Sequence, residues 1–146
     1  TPGGALEPSL KPLEVALTAG ATFVAQGFST DIKELTAMIE AGLNHKGFSF
    51  INVFSPCVTY NKVNTYDWFK ENLTKLADIE GYDSSNREMA MQTVMRKEGL
   101  VTGIIYQDTE TTSYQDKIKG YSELPLTDID ISLSEVQFDK LVKEFM

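Results

Sequence analysis

The sequence predicts an α/β fold: part of a parallel sheet with flanking helices, followed by a mainly helical tail. Two short runs rich in β-branched and aromatic residues, 21–25 and 48–54, are separated by one strongly periodic helical segment, and a further helical segment precedes them. Helix, strand, helix, strand in close succession is the pattern of βαβ units with a parallel sheet. The chain has 146 residues, enough for one domain with a real core. Beyond about residue 79 the alternation ends and a looser pattern begins, which places a boundary between an α/β region at 1–80 and a tail region at 81–146. The tail is expected to pack on that region or on a partner subunit. Two strands do not make a stable sheet of this kind, so 21–54 reads as the end of a larger one.

In chain order, residues 1–8 hold two Pro and two Gly and read as a loop. A short helix is expected over 10–19, capped by Ser9, with Pro12 in its first turn and Gly20 at its exit. The run 21–25 is a buried strand that Gly27 should stop. The clearest helix follows: Ser29 or Thr30 is the expected cap, Asp31 and Glu34 suit the first turn, and Ile32, Leu35, Ile39 and Leu43, with Met38 beside them, form an apolar stripe that should be core. His45 and Lys46 fall in its last turn and Gly47 closes it. The strand 48–54 runs into Ser55-Pro56-Cys57, where Pro56 removes a backbone donor and ends it. Asn64 or Thr65 caps a helix over about 66–76. Another spans 86–98 with Met91, Val94 and Met95 on one side and Gly99 at its end. Residues 100–106 read as a strand, with Gly103 marking a bulge or close approach. Residues 107–130 are a polar excursion. Ser132 and Glu135 form a capping-box pattern ahead of a last helix to Met146, whose apolar side is Val136, Leu141, Val142 and Phe145.

Composition narrows the function. The net charge is −8 and the pI about 4.6, which argues against binding a nucleic-acid backbone, since that needs clustered Lys and Arg. No apolar run approaches the roughly 20 residues that span a bilayer. One cysteine excludes an internal disulfide framework and fits a reducing cytoplasm. The start at Thr-Pro-Gly-Gly reads as an internal point of a longer polypeptide. There is no Gly-rich phosphate loop, no His pair at metal spacing and no Gly-x-Ser-x-Gly elbow. Asp128 and Asp130 could touch a divalent cation, against the plainer reading of a solvated acidic turn. His45 is explained by its place near a helix C-terminus. Cys57, after a strand's carboxyl end, is the leading chemical candidate. It stands against the alternative of an inert, buried thiol.

Several segments in order resemble the C-terminal half of the β subunit of 2-oxoacid:ferredoxin oxidoreductases, nearest the 2-oxoglutarate ferredoxin oxidoreductase type. They are Leu13-Glu14-Val15-Ala16-Leu17, Gly20-Ala21-Thr22-Phe23-Val24-Ala25, Asn44-His45-Lys46-Gly47-Phe48, Ser55-Pro56-Cys57-Val58-Thr59-Tyr60-Asn61, Tyr66-Asp67-Trp68-Phe69-Lys70 and Gly99-Leu100-Val101-Thr102-Gly103. The resemblance implies the C-terminal part of a thiamine diphosphate-binding fold. It implies a parent enzyme that oxidatively decarboxylates a 2-oxoacid, 2-oxoglutarate foremost, with CoA, giving acyl-CoA, CO2 and reduced ferredoxin. Thiamine diphosphate, Mg2+ and a 4Fe–4S cluster would serve the intact enzyme, with an α subunit and ferredoxin as partners. Cys57 would be one cluster ligand. No catalytic or cofactor-binding residue carries over, because the family's Cys-Pro-x-Cys and Gly-Asp-Gly…Asn segments are not found in these residues. The chain alone is therefore expected to be an inactive fragment holding no cofactor. The alternative kept open is a non-enzymatic α/β binding or assembly module, and a weaker one is a redox-sensing thiol at Cys57.

Overall fold

The strand around which the chain is built is buried along its whole length. In the computed structural model, which describes residues 7–121 and 123–145, the elements are α1 (Pro12–Thr18), β1 (Phe23–Phe28), α2 (Ile32–Asn44), β2 (Ser49–Phe54), α3 (Tyr66–Asn72), β3 (Thr74–Lys75), α4 (Arg87–Arg96), β4 (Val101–Gln107) and α5 (Glu135–Glu144). The sheet order is β2-β1-β4-β3. β1 and β2 are parallel, with Phe23 beside Ser49 and Phe28 beside Phe54. That is the βαβ unit read from the sequence. β4, however, inserts on the other side of β1 and runs antiparallel to it, so the sheet is mixed.

Side chains alternate across β1, as strand geometry requires. Val24 joins a cluster with Leu13 and Leu17 of α1, Ala90 and Val94 of α4, and Val101 and Ile105 of β4. Phe23 and Ala25 point to the other face and pack with Met38 of α2, Ile51 and Ile104. β4 shifts register between Val24, opposite Tyr106, and Ala25, opposite Ile104. Ile105 is thus an extra residue, a β-bulge, and both Ile105 and Tyr106 join the α1/α4 cluster. The expected irregularity in this strand is real but lies at Ile105, while Gly103 (φ +124) lets β4 pass close to Leu76.

Several local expectations are corrected by packing. The strand does not stop at Gly27 but runs through it to Phe28, because a Cβ at Gly27 would sit 2.8 Å from Leu35 Cδ1. The glycine admits α2 rather than breaking the strand. Gly42 does the same from the helix side: a Cβ there would lie 2.8 Å from Ile51 Cδ1. The face of α2 that reaches the sheet carries Leu35, Met38 and Gly42, while Ile32, Ile39 and Leu43 of the expected stripe stay exposed. Ile32 and Leu43 are 71% and 82% exposed. The cap of α2 is Asp31, whose side chain accepts from Glu34 N–H, rather than Ser29 or Thr30. α1 starts at Pro12 with Lys11 as N-cap and no side-chain cap, so Ser9 plays no capping part. Thr65 and Asn86 cap α3 and α4 through their side chains. α4 ends at the left-handed Gly99 (φ +78), whose N–H donates to Val94 carbonyl at 2.9 Å. The expected helix over 66–76 ends at Asn72, because Thr74 and Lys75 pair with β4 instead.

The chain divides into a first compact unit ending at Tyr114 and a second beginning at Gln115. α4 and β4, which the sequence reading assigns to the region after residue 80, belong to the first unit and complete its sheet. In the second unit, α5 opens on a capping box formed by Ser134 and Gln137, two residues later than the Ser132–Glu135 pairing expected. Its Val136, Leu141, Val142 and Phe145 are exposed. Met146 and residues 1–6 of the expected N-terminal loop lie outside the described residues.

Candidate metal-ligand loop at the carboxyl end of β2

The loop after β2 is held between two fixed points. At its start, Phe54 carbonyl accepts from Ser29 N–H at 2.9 Å, tying the ends of β2 and β1 together. At its end, Thr65 Oγ1 accepts from Trp68 N–H at 3.3 Å and starts α3. An aromatic cluster fills the space between strands and helix: Phe69 lies 4.8 Å from Phe54 and 5.7 Å from Phe28, ring centre to ring centre, with Trp68 edge-on at 5.0 Å. Ser29 Oγ is buried nearby without a partner among the described residues.

Cys57 stands on this loop and is exposed. The buried, inert thiol considered for it is thus not what the fold makes. Asn61 N–H donates to Cys57 carbonyl at 3.0 Å and closes the turn over the following residues. Nearby backbone N–H groups, Tyr60's first and then those of Thr59 and Asn61, pull the thiol below its ordinary pKa. Amide dipoles of this kind favour the thiolate, the form that binds metal. Among the described residues no group of three or more His, Cys, Asp and Glu side chains is arranged to hold a metal ion.

His45 and Cys57 lie at opposite ends of β2. Six residues of strand separate their loops, roughly 20 Å at about 3.3 Å per residue. His45 Nε2 is 2.9 Å from Thr22 Oγ1. That hydroxyl donates to Phe48 carbonyl at 3.2 Å and accepts from Phe48 N–H at 2.9 Å. The imidazole thus buttresses the start of β2, and the ring packs 5.5 Å from Phe23. Asp130, raised as a cation contact with Asp128, instead accepts from Ser132 N–H at 2.9 Å. Those Ser132 hydrogen bonds, side chain first, keep its carboxyl below the usual value.

Two residues missed in the sequence form a polar network within the sheet. Gln26 on β1 is 1% exposed. Its Nε2 donates to Gly99 carbonyl at 2.6 Å and Val101 carbonyl at 2.7 Å, and its Oε1 accepts from Asn52 Nδ2 at 2.6 Å. Every donor and acceptor of this buried amide is used, as burial demands. The pair occupies matched positions on β1 and β2 and lines a cleft of about 560 Å³ with Leu13, Phe54 and Met95. The only signal in the sequence is one amide residue in each of two apolar runs. Arg87 was also missed. Its guanidinium donates to Leu17 and Ala21 carbonyls at 2.7 and 2.9 Å and sits 4.1 Å over the Tyr106 ring. It thereby adds a second donor to Leu17 carbonyl in the last turn of α1, which also accepts from Gly20 N–H, and reaches Ala21 just beyond the helix.

A mixed four-stranded α/β unit that ends a strand on an exposed thiol is the class these features define, and comparison with known proteins narrows it. Residues 57–123 match the family model for the C terminal of the pyruvate ferredoxin oxidoreductase beta subunit. The chain is 31% identical to the 2-oxoacid:ferredoxin oxidoreductase subunit beta of Sulfolobus sp over 127 residues, 80% of this chain and 42% of that one. It is 30% identical over 147 residues to a 2-oxoglutarate synthase subunit of Methanothermobacter marburgensis, covering 94% of this chain and 48% of that one. In structure it resembles the 2-oxoglutarate:ferredoxin oxidoreductase from Magnetococcus marinus, with 2-oxoglutarate, coenzyme A and succinyl-CoA bound. The TM-score is 0.68 at 35% identity, over 77% of this chain and 38% of that one. The chain is thus similar to the β subunits of 2-oxoacid:ferredoxin oxidoreductases. It spans less than half the length of these relatives.

Proposed function

We propose that the chain serves as the C-terminal part of the β subunit of an enzyme that oxidatively decarboxylates a 2-oxoacid with CoA to acyl-CoA and CO2, reducing ferredoxin. The observation that carries this reading is Cys57: an exposed thiol on the loop at the carboxyl end of a parallel strand, in a chain similar to these β subunits. We assign it as one thiolate ligand of a 4Fe–4S cluster. The donor chemistry fits, since such clusters are held by cysteine thiolates and tuned by hydrogen bonds to sulfur. Because Cys57 is the sole cysteine here, the other ligands come from elsewhere in the β subunit. When bound, thiamine diphosphate with Mg2+ supplies the carbanion chemistry of decarboxylation, and the cluster accepts electrons singly. The residues of this chain present the thiol on an exposed loop and brace β2 through Gln26 and Asn52.

The 2-oxoglutarate assignment is supported by the name of the Methanothermobacter relative and by the ligands of the Magnetococcus enzyme. The working enzyme joins an α subunit and acts in the cytoplasm with ferredoxin. Among the described residues no helix is long and apolar enough to cross a membrane. The chain alone does not turn over. Replacing Cys57 by Ser in the complete β subunit tests the assignment. Loss of cluster iron and of the reduced-cluster electron paramagnetic resonance signal is expected, and a full cluster in that variant overturns the ligand role. The exposed Ile32, Ile39 and Leu43 on α2 favour a second reading, an assembly module without catalysis. A complete β subunit that binds its partner yet forms neither cluster nor acyl-CoA is the outcome that favours it.

A further inference from the structure

None of the residues of α5 is buried. A helix of 10 residues is marginal in water by itself, and most helical stability in proteins comes from packing an apolar face. α5 has such a face. Phe138, Leu141, Val142 and, at the C-cap, Phe145 recur at i, i+3, i+4 and i+7, which is one stripe at 3.6 residues per turn. They are 55%, 45%, 39% and 86% exposed. This is the anchor spacing of a helix that lies in an apolar groove. The same periodicity sets Glu135 and Asp139 along one side of the stripe and Glu144 along the other, and turns Lys140 and Lys143 to the opposite face. Among the described residues none of these carboxylates is held in an ion pair.

We propose that α5 is a docking helix: its Phe138–Leu141–Val142–Phe145 stripe lies in an apolar groove of the α subunit whose rim carries Lys and Arg. This rests on the reading of the chain as part of a β subunit that joins an α subunit. The charges select this occupant. A second copy of the chain would bring a net charge of −8 against acidic flanks, and like charges brought face to face oppose pairing. A membrane surface fails on the same ground, since helices that lie on anionic lipid carry Lys and Arg on the polar face beside the apolar one. A groove with a basic rim covers the four apolar side chains and pairs Glu135, Asp139 and Glu144 at its edge.

The test titrates the complete β subunit with its α subunit by calorimetry at low and high salt. The thermal midpoint and the self-association of the β subunit alone are measured beside it. Leu141→Asp, which sets a charge in the middle of the stripe, is expected to weaken α-subunit binding about 30-fold, the scale of an interface hot spot. Should that variant lose α5, Phe138→Ala carries the same comparison. Glu135→Lys with Asp139→Lys is expected to weaken binding about tenfold, and the gap should narrow at high salt. Lys140→Ala, on the far face, should bind as the native subunit does. Unchanged binding in Leu141→Asp and Phe138→Ala overturns the proposal. So does a loss of binding that comes with a large fall in the thermal midpoint of the β subunit alone, which places the stripe against its own subunit. A loss of self-association instead places it against a second copy and overturns the proposal too. If the native β subunit binds an α subunit and the α5 variants bind it equally well, only the role of α5 falls. If the native β subunit binds none, the reading of the chain as part of such an enzyme falls, and the role of α5 with it.

Discussion

β1 and β2 are neighbours of equal length, both six residues and both rich in apolar side chains, yet they live in different surroundings. All six residues of β1 are buried, with α1 and α4 on one face, α2 on the other and a hydrogen-bonded strand along each side. β2 has only β1 beside it among the described residues, and none of its residues is fully buried. A strand's apolar character states that it can be buried, and its neighbours decide whether it is. The loop with the exposed thiol leaves from the less buried strand. That is where a chain can present a ligand atom without disturbing its core.

The contrast can be broken by substitution. Phe23→Ala should cost about 3–5 kcal/mol in urea unfolding, the usual range for emptying a fully buried aromatic site. A cost under about 1 kcal/mol would show that β1 is not the centre of the core. Gln26→Leu should come next, at about 2–3 kcal/mol. It leaves Gly99 and Val101 carbonyls and Asn52 Nδ2 without their partner. Asn52→Ala on the half-buried side of the same bond should cost visibly less, and equal costs would erase the distinction between the strands.

On the other flank of β1, Tyr82 hydroxyl donates to Ile105 carbonyl at 2.6 Å, and burial pushes its pKa up to about 12. Its folded-state value lies above the unfolded value of about 10. The unfolded chain thus loses this proton first, and stability should fall as pH rises from about 10 to about 12. In Tyr82→Phe that part of the slope should vanish, and the cost below pH 9 should be about 1 kcal/mol for the lost hydrogen bond. An unchanged alkaline slope would show that Tyr82 is not the group responsible. The smallest effect is expected at Val53, which points out of β2 and is 38% exposed. Val53→Thr should stay within about 0.5 kcal/mol by thermal unfolding. A larger loss in the assembled enzyme than in this chain would show that a partner covers that edge.

The particular elements show what was legible beforehand. The two parallel strands, the helix between them and the turn that delivers Cys57 could be read because their signals are local: Pro56 ends a ladder, Thr65 and Asn86 cap helices, and Gly99 closes one. The capping box was misplaced by two residues because both Ser132 and Ser134 offer a hydroxyl at a suitable spacing. The apolar set expected on α2 was only partly right: Leu35 and Met38 reach the sheet, Ile32, Ile39 and Leu43 do not, and Gly27 and Gly42, which let helix and sheet meet, carry no apolar signal.

What the sequence determined by itself is the set of pieces and the place of the thiol, since backbone propensity and capping act over a few neighbouring residues. What only the tertiary structure decided is strand order, which side chains are covered and which polar groups are paired. The antiparallel β4 beside β1, Arg87 closing the end of α1, and Gln26 bonded to Val101 across 75 residues of chain depend on contacts between distant segments. A residue's own neighbours in sequence carry no record of these, because burial and hydrogen-bond pairing are properties of the assembled sheet.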